Sequence, residues 1–259
     1  MFTGIDHVVI AVADLEGAIA SYAQAGFTVV RGGRHNIGTH NALIAFADGS
    51  YLELIAFLNP VPGHPWFKAV ELGGGVTDFC MRTDDLDADV AALRSAGAAI
   101  GDPSAMTRDR PDGYRLSWVL AIPQPPLNGQ LPFVIRDVTA RDERVPRERS
   151  HRNRTIGIAR VTLAVENPAA SSRYYARVLG RPATPRRRLD LDASGVAFAI
   201  GSYEVELIAP RSEQSPLAQW LKARGPSPWS AALRTDAGAG KLENFNDTEL
   251  LRSARLTLE

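Results

Sequence analysis

Apolar side chains alternate with polar or small ones in short stretches of residues 5–57, which is typical of strands with one buried face. The two faces of the strand predicted over residues 5–12 carry Val8, Ile10 and Val12 and, opposite them, Ile5, His7, Val9 and Ala11. Asp14 is a typical N-cap residue and Gly26 a typical helix end, so a helix is predicted between them. Further strands are predicted at residues 29–30, 41–46 and 51–57, which completes a β-α-β-β-β unit.

This unit is repeated along the chain. Residues 4–12 (GIDHVVIAV) return as residues 157–165 (GIARVTLAV), and residues 49–56 (GSYLELIA) return as residues 201–209 (GSYEVELIA). A second unit is predicted to begin at the glycines of residues 73–75, and a truncated fourth unit to run from Trp229 to about Leu258. The sequence therefore predicts an α+β fold built from two pairs of units, of which the second pair is partly degenerate.

The chain is predicted to divide into two halves, residues 1–139 and 157–259, joined by a charged linker over residues 140–156. Residues 141–154 (RDERVPRERSHRNR) offer little apolar surface to bury, which is typical of a solvated segment. An arginine-rich arm for nucleic acid is the alternative, which the interleaved acidic residues disfavour. We expect His151, in this linker, and His64, in a loop flanked by prolines, to be exposed to solvent.

Composition limits the classes of partner. Lysine plus arginine equals aspartate plus glutamate, so the net charge of zero gives no electrostatic case for nucleic acid or anionic membranes. No apolar run approaches the ~20 residues that span a bilayer, and no secretory leader precedes the first strand. The single cysteine, Cys80, fits a reducing compartment and is expected to be a packed thiol. We therefore expect a cytoplasmic protein with a small-molecule partner, and leave a homodimer open.

The first and third units differ at a position that matters for chemistry. His7 and Glu53 of the first correspond to Arg160 and Glu206 of the third. A histidine beside a glutamate can hold a metal, whereas an arginine beside a glutamate predicts an ion pair. We therefore predict a structural Arg160–Glu206 pair and a metal-free second half. Because the glutamate recurs without the histidine, Glu53 itself could also be structural.

Several motifs resemble the vicinal-oxygen-chelate superfamily, which includes glyoxalase I and the extradiol dioxygenases, and its glyoxalase-like branch above all. They are IDH at residues 5–7, GGRH at 32–35, GTHN at 38–41, YLELI at 51–55, RPDG at 110–113 and LPF at 131–133. The resemblance covers residues 3–138 well and residues 157–236 more weakly. It implies that two units curl their sheets into one cup with a divalent metal inside, held by the first and fourth strands of each unit.

Carried over to this sequence, the resemblance makes His7 and Glu53 the ligands of the first unit. Asp78 takes the first-strand position of the second unit, and the remaining position falls near Phe133 or Ile135, which cannot coordinate a metal. One nitrogen and two carboxylates suit Mn²⁺, Fe²⁺, Ni²⁺ or Zn²⁺. For Asp78, an ion pair with Arg82 is the alternative to ligation.

Other polar side chains are candidates for contacts with a substrate. Asn41 is predicted to face the cup, while Arg110, Arg115 and Trp118 could hold an anionic or aromatic ligand at its rim. Arginines in a turn-rich stretch are, alternatively, simply solvated.

The first functional hypothesis is a metal-dependent enzyme, a lyase or isomerase, acting on a substrate with adjacent oxygens through a metal-stabilised oxyanion. Glu53 or Asp78 would then move the proton as the catalytic carboxylate. The alternative is a metal-free protein of the same fold that binds or sequesters a small molecule. An extradiol-type dioxygenase ranks third. Iron oxygenases favour two histidines and one carboxylate as ligands, and here only one histidine, His7, lies at a predicted ligand position. Pairing of the first unit with the third instead of the second would place Arg160 and Glu206 opposite His7.

Overall fold

The computed structural model describes residues 1–236 and 253–259, and its fold is α+β, as predicted. Part of the predicted fourth unit, residues 237–252, lies outside the described residues. None of the helices in the described ranges is both long and apolar enough to cross a membrane.

The first half of the chain contains eight strands. They are β1 (Phe2–Ala11), β2 (Val30–His35), β3 (Thr39–Ala45), β4 (Tyr51–Phe57), β5 (Gly75–Thr83), β6 (Ser104–Asp109), β7 (Arg115–Ala121) and β8 (Phe133–Asp137). Four helices accompany them, namely α1 (Leu15–Gln24), α2 (Pro65–Glu71), α3 (Leu86–Ser95) and α4 (Arg141–Arg144). Of these elements, β6, α2 and α4 were not predicted.

These strands form one closed barrel in the order β1-β4-β3-β2-β6-β7-β8-β5. Strand β1 runs parallel to β4 and antiparallel to β5, so the first strands of units one and two are neighbours. The first unit therefore pairs with the second, as the sequence analysis preferred, and not with the third.

The second half contains β9 (Thr155–Ala164), α5 (Pro168–Leu179), β10 (Thr184–Arg188), β11 (Ala193–Ile200), β12 (Tyr203–Pro210), α6 (Pro216–Arg224), β13 (Ser227–Thr235) and β14 (Leu256–Leu258). Its strands form a six-stranded sheet in the order β10-β11-β12-β9-β13-β14. The predicted boundaries of the two halves, at residues 139 and 157, stay a prediction.

Local chemistry explains where the helices begin. Asp14 accepts a hydrogen bond from the Glu16 backbone N–H at 3.0 Å, and Asp85 accepts one from Ala88 at 3.0 Å. These N-caps satisfy backbone donors that have no partner inside the helix. The equivalent helix α5 begins in the same way at Asn167, which confirms the repeat at the level of single side chains.

Apolar side chains are buried on both faces of the barrel sheet. Val8, Leu52 and Phe79 belong to a core under the helices. Cys80 and Phe133 belong to a second cluster on the opposite, cavity-lining face. The two faces differ as the alternation predicts, and Cys80 is a buried thiol, as predicted.

The segment predicted as a solvated linker keeps several exposed residues, but some of its side chains are packed against the barrel. Arg144 is 3% exposed and His151 is 7% exposed. His151 accepts from the Thr28 backbone N–H at 3.0 Å and its Nε2 lies 3.0 Å from the Ala45 carbonyl oxygen. The prediction of exposure was wrong because polar groups are readily buried when each finds a partner. His64 is likewise half-buried, since it caps α2 by accepting from Trp66.

Candidate functional site

A cavity of about 340 Å³ lies against the barrel strands. Its apolar walls include Trp66, Met106, Trp118, Leu120, Phe133 and Ile135. Its polar lining includes His7, His35, Glu53, His64, Asp78 and Arg108. An apolar pocket of this size with a few converging polar groups is the usual form of a small-molecule site.

A β-bulge sets the position of His7. In the pairing of β1 with β5, Ile5 lies opposite Met81 and His7 opposite Cys80, so Asp6 is an extra residue without a counterpart. Such a bulge redirects side chains that would otherwise alternate. As a result Asp6 lies beside His7 and accepts from its Nδ1–H at 2.8 Å. Ile5 belongs to the core under the helices, so the prediction that it shares the face of His7 was wrong.

Asp6 is fully buried in a network of charged groups. Arg144 donates to it at 3.1 Å, and Arg141 also forms an ion pair with it. Burial alone would raise the pKa of Asp6, but Arg144, the His7 hydrogen bond and Arg141 hold that pKa well below its ordinary value. Asp6 is therefore a permanent anion that fixes which nitrogen of His7 carries the proton.

With its Nδ1 proton directed at Asp6, His7 presents Nε2 to Glu53. The distance from Nε2 to Glu53 Oε2 is 3.3 Å, and the imidazole stacks on the Tyr51 ring with centroids 4.5 Å apart. Burial opposes protonation, yet the hydrogen bonds to Asp6 and Glu53 raise the pKa of His7. A histidine that donates its other ring N–H to a carboxylate is the usual arrangement around a bound metal.

Glu53 is held as an anion at the same point. Burial would raise its pKa, but the hydrogen bond from His7, the charges of both nearby histidines and Asn41 lower it to about 2. Asn41 donates its Nδ2–H to Glu53 Oε1 at 2.6 Å. Asn41 was predicted to contact a substrate, whereas the structure places it beside Glu53, where it orients the carboxylate.

His35 is a second histidine at this carboxylate that the sequence analysis gave no role. Its Nε2 lies 3.7 Å from Glu53 Oε1 and its Nδ1 lies 2.8 Å from Thr39 Oγ1. Burial lowers the pKa of His35 to about 4, so the ring is neutral near pH 7. The one signal in the sequence that could have pointed to His35 was its place in the GGRH motif. It was given no role because the resemblance assigns metal ligands to the first and fourth strands of each unit only.

Asp78 lines the same cavity, but its carboxylate and the ligand atoms of His7 and Glu53 do not all lie within 4.8 Å of one another. Trp66 Nε1–H donates to Oδ2 at 3.0 Å, and the Phe79 backbone N–H donates to Oδ1 at 2.9 Å. Burial raises the pKa of Asp78 to about 7. The alternative partner, Arg82, donates to the Tyr203 hydroxyl instead.

Two groups of side chains beside the cavity carry donor atoms of the kind that bind a divalent metal. Over the described parts of the chain, the three ligand-type side chains found within 4.8 Å of one another are Asp6, His7 and Cys80. That trio does not suit a cation, because Asp6 already pairs with two guanidinium groups and burial raises the pKa of the Cys80 thiol well above its ordinary value. His7 Nε2 and the Glu53 carboxylate do fit, since ligand atoms about 2.0–2.2 Å from one metal lie roughly 3 Å apart.

The predicted substrate contacts are divided between the cavity and the surface. Trp118 lines the cavity and meets the His35 ring edge-to-face at 5.9 Å. Arg110 pairs with Asp112 and Glu143, and Arg115 pairs with Asp109 at 2.7 Å, with 69% of its side chain exposed. Both arginines lie outside the cavity lining because each has a carboxylate partner close by in its own turn or hairpin.

In the second half, Arg160 Nε lies 3.8 Å from Glu206 Oε2. Shorter contacts to that fully buried carboxylate come from Thr162 Oγ1 at 2.7 Å, Arg188 Nη1 at 2.9 Å and Arg186 Nε at 3.5 Å. Glu206 thus has the strand position of Glu53 but lies among hydroxyl and guanidinium groups.

Comparison with known proteins finds the same fold elsewhere. Residues 5–179 match a family described as a glyoxalase-like domain. A hypothetical protein from Staphylococcus aureus is similar, with 15% identity, a TM-score of 0.69 and 98% of each chain covered. A mutant of 4-hydroxymandelate synthase from Streptomyces coelicolor has 18% identity and a TM-score of 0.59, over 91% of this chain and 72% of that one. No curated protein sequence gives a significant match.

Proposed function

The chain belongs to the glyoxalase-like domain family of the vicinal-oxygen-chelate superfamily, and from this premise we propose a metal-dependent enzyme that acts on a small substrate with adjacent oxygens. Lyase or isomerase chemistry is the favoured reaction class. One observation carries the proposal: the cavity that holds the His7–Glu53 pair also contains a carboxyl group with a pKa of about 7.

His7 and Glu53 are the proposed metal ligands, and Asp6 and Asn41 position them. Mn²⁺, Fe²⁺, Ni²⁺ and Zn²⁺ all suit imidazole and carboxylate donors. A divalent ion held there would polarise both oxygens of the substrate and offset the negative charge that develops on them. The apolar walls around Trp118 and Phe133 lower the local dielectric, which would strengthen these electrostatic interactions.

Asp78 is the proposed proton-transfer group, and in this proposal it is no longer a ligand. A carboxyl group with a pKa near the working pH can accept a proton from a substrate carbon and return it. The hydrogen bonds from Trp66 and Phe79 fix the plane of the carboxylate and leave each oxygen a further lone pair.

The second candidate is a dioxygenase, and His35 is the observation that favours it. Two histidines and one carboxylate with open positions are the donor set of many non-haem iron oxygenases. From the sequence this reaction ranked third, because only one histidine lies at a predicted ligand position. The structure adds His35, 3.7 Å from Glu53.

Hydrogen exchange separates the two reactions. We expect the metal-loaded protein to catalyse exchange of the proton next to the carbonyl of hydroxyacetone or phenylpyruvate for deuterium from deuterated water. Proton NMR measures this exchange against an enzyme-free control. The Arg115→Ala variant, which changes an exposed side chain, is expected to exchange the proton at the same rate as the parent. Oxygen consumption with Fe²⁺ that is lost in His35→Ala would instead support the dioxygenase.

A further inference from the structure

Arg108 is a buried cation at the cavity without a carboxylate partner. It is 3% exposed, lines the cavity and donates one Nη2–H to the Arg144 carbonyl oxygen at 2.9 Å. Among the residues the structure describes, no carboxylate lies within 4.0 Å of its guanidinium, and its Nε–H has no acceptor. Burial lowers the pKa of Arg108, but an arginine stays charged in proteins.

The carboxylates nearest to this side of the cavity are already paired. Asp6 and Asp137 pair with Arg141 and Arg144. Glu53 is bound by His7 and Asn41. Among the residues the structure describes, these three carboxylates are thus paired with Arg141, Arg144 and His7, and Arg108 has no carboxylate within 4.0 Å.

A buried guanidinium without a carboxylate partner is unfavourable until an anion reaches it. An unpaired charge in a low-dielectric interior is destabilising, and a planar guanidinium binds a carboxylate through two hydrogen bonds. The rest of the cavity is apolar, with Trp66, Trp118 and Phe133 among its walls. A buried guanidinium beside apolar walls favours a ligand that has an anionic group and an apolar group about the size of an aromatic ring.

We propose that Arg108 binds the carboxylate of the substrate, and that the substrate class is a small carboxylic acid with an aromatic or similarly bulky apolar group. This inference rests on the proposed function, because the bound carboxylate would hold the substrate's reacting oxygens beside His7 and Glu53. It also adds to that function a group that determines specificity, on β6, a strand that carries none of the proposed metal ligands.

The test compares phenylacetate with phenylacetamide, which differ in charge but hardly in shape. Binding to the protein as purified, and after chelator treatment, is followed by calorimetry and by the fluorescence of Trp66 and Trp118 in the cavity wall. We expect the parent to bind the acid at least about 30-fold more tightly than the amide. Arg108→Gln should abolish this preference, Arg108→Lys should keep part of it, and the surface control Arg115→Gln should keep all of it.

The outcomes are distinguishable. A preference for the acid that survives in Arg108→Gln overturns the proposal, whether or not that preference requires metal. A preference that depends on Arg108 in protein without metal supports the anion site while the metal-dependent function fails. If circular dichroism shows that Arg108→Gln is unfolded, the Arg108→Lys variant decides. A folded Arg108→Lys variant with reduced affinity for the acid supports contact between Arg108 and the ligand, and a folded variant with unchanged affinity overturns it.

Discussion

Asp78→Asn is expected to slow substrate proton exchange by at least about 100-fold, the usual contribution of a positioned general base. Asparagine is nearly isosteric with aspartate but cannot accept a proton at neutral pH. Metal content should be unchanged, since Asp78 binds Trp66 and Phe79 rather than the His7–Glu53 pair. Exchange measured by NMR, beside elemental analysis of the same sample, checks both statements.

The pH dependence of exchange follows from the same group. With the pKa of Asp78 raised to about 7 by burial, the parent should gain activity as pH rises towards 7 and then level off. The residual exchange of Asp78→Asn should show no such rise. A variant with a parent-like rate, or one that loses its metal, would contradict the assignment of Asp78 as the proton-transfer group.

The same substitution is expected to stabilise the protein at alkaline pH. In the folded protein Asp78 stays protonated at pH values well above its ordinary pKa of 3.8. The free energy of unfolding of the parent therefore falls as the pH rises from about 4 to 7. A shift of this size corresponds to about 4 kcal/mol at most. One of the two hydrogen bonds to the carboxylate is lost in asparagine, at a cost of about 1–3 kcal/mol. Urea unfolding at pH 8 should therefore show Asp78→Asn about 2 kcal/mol more stable than the parent, and the difference should shrink towards pH 5.

Asp6→Asn should destabilise the protein by about 3–5 kcal/mol at pH 7, because it leaves buried Arg144 without its central counter-charge. The loss should be largest above pH 4 and fade in acid, because the stabilisation from the ionised Asp6 of the parent is itself lost as the pH falls below 3.8 towards the depressed pKa of the folded state. Metal affinity should fall by about 10–100-fold, because Asp6 orients His7.

Urea unfolding and metal titration of Asp6→Asn test this network. The matched control is Arg115→Ala, which breaks an exposed pair with Asp109 and should change stability by less than about 1 kcal/mol. If Asp6→Asn unfolds at the same urea concentration as the control, the buried network does not support the fold as described.

Local patterns predicted much of the first half of the fold. The observed β4 has the predicted bounds, Tyr51–Phe57, and Asp14 begins a helix where expected. Helix α2 and strand β6 were missed, since proline-rich and mixed-polarity stretches carry no clear period.

The site was less accessible to sequence reasoning, because its key contacts join residues far apart in the chain. Asp6 meets Arg144, and His35 meets Glu53, through strand register and a bulge that alternation cannot reveal. The arginine-rich segment looked solvated for the same reason, since the carboxylate that buries Arg144 lies at the start of the chain. His7 and Glu53, which the structure brings together in the cavity, were candidates from the sequence because each occupies a repeated strand position.

The most direct measurement is elemental analysis of untagged protein purified without chelator, beside His7→Ala, Glu53→Ala and Asp78→Asn. We predict near-stoichiometric divalent metal in the parent and in Asp78→Asn, and its loss from His7→Ala and Glu53→Ala with the fold retained. Absence of metal from the parent, even after dialysis against Mn²⁺, Ni²⁺, Zn²⁺ and anaerobic Fe²⁺, would contradict the metal-dependent function and favour a metal-free binding protein.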